Sequence, residues 1–168
     1  MSLWKKLFQT KRQRKKSAVL QEEIAHAGDV LPPLSGKVIP ITEVPDPAFA
    51  QKMMGDGFAI IPEEDIVRSP VNGVVTSLFP TRHALSLRAN DGHELLIHVG
   101  LETVTLKGEG FDPLVHDGSR VLTGDPLMHV DFHLIEKRGL SPISPVVFTN
   151  LKKEEKVVID QGRIFIRS

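Results

Sequence analysis

From Leu31 to Ser168 the apolar residues fall in short runs rich in Val, Ile, Leu and Phe, cut at close intervals by turn formers. The breaks are Pro32-Pro33, Ser35-Gly36, Gly55-Asp56-Gly57, Asn72-Gly73, Asn90-Asp91-Gly92, Asp117-Gly118, Gly124-Asp125-Pro126 and Gln161-Gly162. Runs this short predict strands joined by tight turns, and an all-β sandwich or barrel rather than βαβ units. One short helix is predicted over 46–53, where Asp46 can cap a helix that has Pro47 at its first position. The pattern Pro-apolar-x-Gly-x-Val occurs at Pro33–Val38 and again at Pro70–Val75, and Gly118-x-x-Val121-x-x-Gly124-Asp125 is a third unit of similar kind. An internal duplication is therefore expected.

Charge divides the chain further. Residues 1–16 carry seven cations (Lys5, Lys6, Lys11, Arg12, Arg14, Lys15 and Lys16) and no acid, so the remainder holds 14 basic against 21 acidic residues. An acidic body argues against nucleic acid as a partner and suits a protein with a basic face. The expected organisation is a basic tail at 1–16, a linker at 17–30 and a folded body at 31–168. If the tail is helical, Leu3, Trp4, Leu7 and Phe8 share a face among lysines, a pattern able to touch an anionic membrane surface as well as to act as a solubilising tail. There is no cysteine, which removes disulfides and thiol chemistry. No apolar run approaches the roughly 20 residues that span a bilayer, and the N-terminus lacks the apolar core of a signal peptide, so a cytoplasmic location is expected.

Candidate chemistry concentrates in Arg82-His83-Ala84-Leu85-Ser86-Leu87-Arg88, the turn Ala89-Asn90-Asp91-Gly92, and His93-Glu94-Leu95-Leu96-Ile97-His98-Val99-Gly100. Two strand-like runs around a strong turn predict a hairpin. With Asn90-Asp91 at its centre, facing residues have numbers that total 181, which sets His83 opposite His98 on one face of the sheet. A one-residue bulge at Gly92 would change that pairing. Two imidazoles that meet suit metal binding or a nucleophile with a hydrogen-bonding helper, since at neutral pH a neutral ring nitrogen is available.

Leu96-Ile97-His98-Val99-Gly100-Leu101-Glu102-Thr103-Val104, followed by Leu106-Lys107-Gly108-Glu109-Gly110-Phe111, resembles the active-site signature of the glucose-type enzyme IIA family of bacterial sugar phosphotransferase systems. The resemblance covers the whole body in order: Pro33-Leu34-Ser35-Gly36, Val44-Pro45-Asp46, Gly55-Asp56-Gly57, Pro70-Val71-x-Gly73, Thr81-Arg82-His83-Ala84 and Ser144-Pro145-Val146-Val147. It implies an antiparallel β-sandwich or barrel-like hybrid with internal duplication and one or two short helices, and makes 31–168 an enzyme IIA phosphoryl-carrier domain. It further implies a phosphotransferase component that takes a phosphoryl group from the histidine-containing phosphocarrier protein and passes it to the enzyme IIB/IIC sugar permease. By that resemblance His98 is phosphorylated through Nε2, His83 donates a hydrogen bond to the phosphoryl oxygens, and Thr81 positions His83. Phe49, Met53, Met54, Phe79, Leu96 and Val104 would form the partner-binding apolar ring, edged by Asp46 and Glu102; the last is often Asp in the family.

A phosphohistidine donor already has high transfer potential, so no cofactor is required, and neither a Walker-type phosphate loop nor a kinase motif is present. Gly108-Glu109-Gly110 reads as turn structure. Zinc stays open as an ion that His83 and His98 could bind in a complex. Three rival readings are a metallohydrolase built on His83, His98 and a carboxylate, a biotinyl- or lipoyl-type domain suggested by the Pro-x-x-Gly-x-Val and Gly-x-x-Val-x-x-Gly-Asp turns together with Lys52-Met53, and a regulator that binds transporters or kinases through the same face. His129, Asp131 and His133 would share one face of a strand, which invites a second metal reading, but a complete site would need further ligands and an outer shell, and by the resemblance Asp131 is structural and the two histidines lie outside the signature. His26, His93 and His116 read as linker or turn-flanking residues. With no permease or IIB segment in the sequence, the carrier is expected to act in trans on a sugar that the sequence leaves open.

Overall fold

The computed structural model describes residues 28–168. The basic tail and all but the end of the expected linker lie outside the described residues. The body begins slightly before Leu31, because Asp29–Val30 form strand β1 against the C-terminal strand.

The following strands are β2 (Gly36–Pro40), β3 (Gly57–Pro62), β4 (Ile66–Arg68), β5 (Gly73–Leu78), β6 (Ala84–Ala89), β7 (Glu94–His98) and β8 (Phe111–Pro113). They continue with β9 (Arg120–Val121), β10 (Pro126–Val130), β11 (Ser144–Phe148), β12 (Lys156–Asp160) and β13 (Arg163–Arg167). Every pairing is antiparallel. A seven-stranded sheet has the order β2-β3-β11-β7-β6-β5-β9, and two three-stranded sheets have the orders β4-β10-β8 and β1-β13-β12. Two short helices complete the described residues, α1 (Pro47–Ala50) and α2 (Phe132–Lys137). None of their helices is long and apolar enough to cross a membrane.

Alternation along the strands builds two cores. Phe58 and Ile60 of β3, Leu85 and Leu87 of β6, Leu95 and Ile97 of β7, and Val146 and Phe148 of β11 join the main cluster. Val67, Met128, Ile164 and Ile135 meet them from the other sheets and α2. Residues between these on the same strands face the other way. Ala59 and Val147 lie in a second, smaller cluster with Ile39, Ile41, Val44, Phe49 and Leu101, and Leu96 packs against it. That outer face carries His98, one position beyond Ile97. Helix α1 supplies Phe49 to the small cluster. It starts where expected: Asp46 Oδ1 accepts the Ala48 N–H at 3.0 Å and Pro47 occupies the first turn. The helix ends at Ala50, and Gln51–Met54 continue as turns.

The duplicated Pro-x-x-Gly units have a structural meaning. Gly36 and Gly73 open β2 and β5, and at each the facing strand passes so close that an added Cβ would lie 2.0 Å from a carbonyl oxygen, of Ile61 or Arg88. The two units also clasp each other, with Leu31 N–H donating to Pro70 O at 3.1 Å and Arg68 N–H to Pro33 O at 2.7 Å.

A histidine pair on the outer sheet face

The hairpin forms as expected but one residue out of the predicted register. Ala84 faces His98 and Arg88 faces Glu94, with Ala89 N–H donating to His93 O at 2.8 Å beside the turn. The loop is Asn90-Asp91-Gly92, three residues rather than two, because Gly92 takes φ 95° and adds one residue to the turn. His83 therefore precedes β6 and faces Val99, whose N–H donates to the His83 carbonyl at 2.8 Å, rather than His98. Arg82, just before it in the loop, is in the left-handed region at φ 59°. The imidazoles meet all the same, with ring centroids 4.9 Å apart at 79°.

Both rings are held. His98 Nδ1 lies 2.7 Å from the carbonyl oxygen of Gly100. A carbonyl can only accept, so Nδ1 carries the proton and Nε2 keeps its lone pair. Phe49 packs edge-on to the same ring at 5.2 Å. His83 is 5% exposed; its Nδ1 is 2.7 Å from Thr81 Oγ1 and its ring meets Phe79 at 5.8 Å. Burial lowers the pKa of His98, against the opposing pull of the Gly100 carbonyl and the charge of Asp46. Burial also lowers that of His83, helped by repulsion from His98 and opposed by a bond to the Thr81 main chain. Both shifts favour neutral imidazoles.

The remaining expected site residues divide by exposure. Met53 (72% exposed) and Met54 follow α1, and Val104 (49%) stands on a 3-10 turn, Thr103–Leu106. Glu102 and Lys107 flank that turn in the left-handed conformation, and Glu102 is exposed. Phe79, Leu96 and Asp46 are half-buried. Phe49 is 3% exposed and offers no docking area; it supports His98 instead.

His129, Asp131 and His133 do not share a strand face. Strand β10 ends at Val130 and Asp131 caps α2, accepting the Leu134 N–H at 3.0 Å, so His133 lies on the helix. Among the described residues no group of three or more His, Asp or Glu is placed to hold a metal ion. His93 is more than a turn-flanking residue: it is set between Asp91 (2.9 Å) and Glu155 (3.3 Å). Burial alone would lower its pKa, but the bonds and charges of Asp91 and Glu155 outweigh it and raise the value. A cavity of about 590 Å³ adjoins His93 and contains neither His83 nor His98.

These opposite shifts set an expected titration order. NMR should find His83 and His98 titrating below the ordinary 6.5 and His93 above it. As pH falls below 6.5 the unfolded chain takes up protons that native His83 and His98 resist, so these two remove stability there. His93 contributes stability fully below 6.5 and loses it as pH rises through its raised native value. The reverse order of titration would contradict the packing described.

Residues 28–154 match the family model for the phosphoenolpyruvate-dependent sugar phosphotransferase system, EIIA 1. The chain belongs to this family. It carries a phosphoryl group in a glucose-type phosphotransferase system. Among its relatives is the PTS system glucose-specific EIIA component of Halalkalibacterium halodurans, 47% identical over 150 residues that cover 89% of this chain and 84% of that protein. The PTS system glucose-specific EIICBA component of Staphylococcus carnosus is 49% identical over 144 residues; they cover 84% of this chain, which spans only 21% of that protein's length. Glucose permease IIA from Mycoplasma capricolum has the same fold, with a TM-score of 0.74 at 38% identity over 82% of this chain and 93% of that one.

Proposed function

We propose that this enzyme IIA protein accepts a phosphoryl group on His98 Nε2 from the phosphohistidine of the small phosphocarrier protein and passes it to the enzyme IIB domain of a sugar permease. The observation that carries the reading is the 2.7 Å bond from His98 Nδ1–H to the Gly100 carbonyl, which leaves Nε2 as the free base. In the transfer the Nε2 lone pair forms the new nitrogen–phosphorus bond while the donor's nitrogen–phosphorus bond breaks and its electron pair stays on the donor imidazole. Nε2 has no proton to lose, so the step needs no general base.

His83 assists in this reading. Thr81 Oγ1 lies 2.7 Å from His83 Nδ1; in the tautomer this role requires, the hydroxyl donates to Nδ1 and Nε2 carries the proton offered to a phosphoryl oxygen. Phosphoryl transfer passes through a loose transition state with charge on the equatorial oxygens, so a fixed donor lowers the barrier by positioning and electrostatics. Transfer between proteins needs an open face, and Met53, Met54 and Val104 supply exposed apolar area near the edge charges Asp46 and Glu102. That pattern fits partners with an apolar patch and a basic rim, the phosphocarrier and the IIB domain alike, and regulated transporters or kinases would compete for the same face. The chemistry requires no metal. Zinc would find two ligands here, His83 and His98, and would need the others from a partner.

The test is intact-mass analysis after incubation with phosphoenolpyruvate, enzyme I and the phosphocarrier. One acid-labile phosphoryl adduct is expected; none, with the upstream proteins active, would refute the reading. Replacing His83 with Gln should leave the fold intact and slow onward transfer by about 10²- to 10³-fold, the usual cost of losing one donor to a developing charge. Transfer to IIB at the parent rate would remove His83 from this role.

A further inference from the structure

Resting on that reading, we propose that Ser144 is a positioning residue for the nucleophile: its buried hydroxyl locks the Gly100 main chain whose carbonyl holds His98 in the reactive tautomer. Ser144 begins β11, is fully buried, and lies 44 positions from Gly100 in sequence. Its Oγ accepts the Gly100 N–H at 3.1 Å and its hydroxyl donates to the Pro142 carbonyl at 2.9 Å. The next peptide is tied to the same segment. Gly100 C=O accepts from His98, while the N–H of that peptide, on Leu101, donates to the Ser141 carbonyl at 3.0 Å. Residues 141–144 thus hold the peptides on both sides of Gly100.

The enclosure is tight enough to matter. Gly100 is in the left-handed region at φ 72°, where an added Cβ would lie 2.6 Å from Thr103 Cγ2 and 3.0 Å from Ser141 O. Thr103 is itself buried, and its hydroxyl donates to Val99 O at 2.6 Å. Gly100 can adjust its torsions only by giving up a bond to Ser144 or Ser141. Remove the Ser144 hydroxyl and the Gly100 N–H is buried without a partner, so the main chain has reason to rotate. The carbonyl then moves off His98 Nδ1, and the imidazole is free to put its proton on Nε2, the nitrogen that must attack.

The consequence is specific. A histidine with its proton on the wrong nitrogen is a poor nucleophile at Nε2 even in an intact fold. Where residues that orient a metal-binding histidine are removed, the loss is about 10- to 100-fold, and a similar loss of acceptance rate is expected here.

The experiment compares Ser144→Ala and Ser144→Thr with the parent. Ring ¹⁵N shifts of His98 and His83 are measured without partners, and the rate of phosphoryl acceptance is measured from the phosphocarrier. The parent should show a protonated Nδ1 and bare Nε2 at His98. In Ser144→Ala the His98 signals should move toward a mixture of tautomers while those of His83 stay put, with acceptance slowed about 10- to 100-fold. Ser144→Thr, which keeps the hydroxyl, should restore the His98 signals. Unchanged His98 ¹⁵N shifts and an acceptance rate within twofold of the parent in Ser144→Ala would overturn the proposal. If Ser144→Ala proves too unstable to measure, Ser144→Thr decides alone: a parent-like tautomer supports the hydroxyl's role and a mixed one overturns it. Failure of the carrier reading looks different, because the parent itself would then take no phosphoryl group while the ¹⁵N comparison would still decide what Ser144 does.

Discussion

His98→Gln should take up no phosphoryl group at all under conditions in which the parent is fully converted. Gln is close to the ring in size and sets its amide where Nε2 stood; the Nδ1 bond to Gly100 is lost, but the side chain is only half-buried, so the fold should persist. What disappears is a nitrogen with an available lone pair, since an amide nitrogen is not nucleophilic at neutral pH. His83 cannot take over. It is 5% exposed and its Nδ1 is engaged by Thr81, whereas half-buried His98 offers an uncommitted Nε2. The expected acceptance rate is below detection, with a melting temperature within a few degrees of the parent's. A residual adduct that maps to His83 would show that the two rings share the role, and one at any other residue would move the site elsewhere.

Much of this arrangement is legible in the sequence, and the parts that are not have physical reasons. Turn residues mark nearly every strand boundary because glycine at positive φ, as at Gly36, Gly92 and Gly118, is required by local geometry alone. The Asp46-Pro47 helix start is equally local. The meeting of His83 and His98 follows from the hairpin, but the register differs by one, since two- and three-residue turns read almost alike in Asn90-Asp91-Gly92. In strict alternation that slip would have sent the two rings to opposite faces. It does not: His83 stands just outside β6, in the bend before Ala84, and its ring still meets His98 at 4.9 Å. The family resemblance pairs the same two residues without depending on register.

Contacts between distant segments are beyond such a reading. Nothing near Gly100 in sequence announces that Ser144 will receive its N–H, or that Phe49 will be buried against His98 rather than offered to a partner. The error over Asp131 is of another kind: alternation at 129, 131 and 133 imitates a strand, but Asp131 is a good helix cap and the cap prevails. His93 was legible only as a polar residue by a turn, because Glu155, its second carboxylate, is 62 residues away.

Gly57→Ala should cost this domain more stability than any substitution at the histidine pair. Gly57 opens β3 opposite Val147 of β11, and a Cβ there would lie 1.9 Å from the Val146 carbonyl oxygen and 2.9 Å from its carbon. No side chain can move aside to relieve this, because the obstacle is the main chain of an interior strand. β11 is fixed on its other edge by β7, the strand that carries His98, and Val146 packs in the main core. The loop before Gly57 is fixed as well: Asp56 accepts the N–H groups of Gly57 at 2.9 Å and of Val157 at 3.0 Å through its carboxylate. Overpacking a core with one extra methyl costs about 1–3 kcal/mol when neighbours can yield, so about 3 kcal/mol or more is expected where they cannot. Against a typical total of about 5–15 kcal/mol that is a large share, and for a domain of this size it corresponds to a fall in melting temperature of roughly 10 °C. Gly118→Ala serves as the control, since its site at φ 88° has open space and should pay only for left-handed backbone, about 1 kcal/mol. Urea midpoints should therefore fall in the order parent, Gly118→Ala, Gly57→Ala. Should Gly57→Ala unfold at the parent's midpoint, β3 and β11 do not approach as closely as described, and the sheet that holds His98 in place must be paired in some other way.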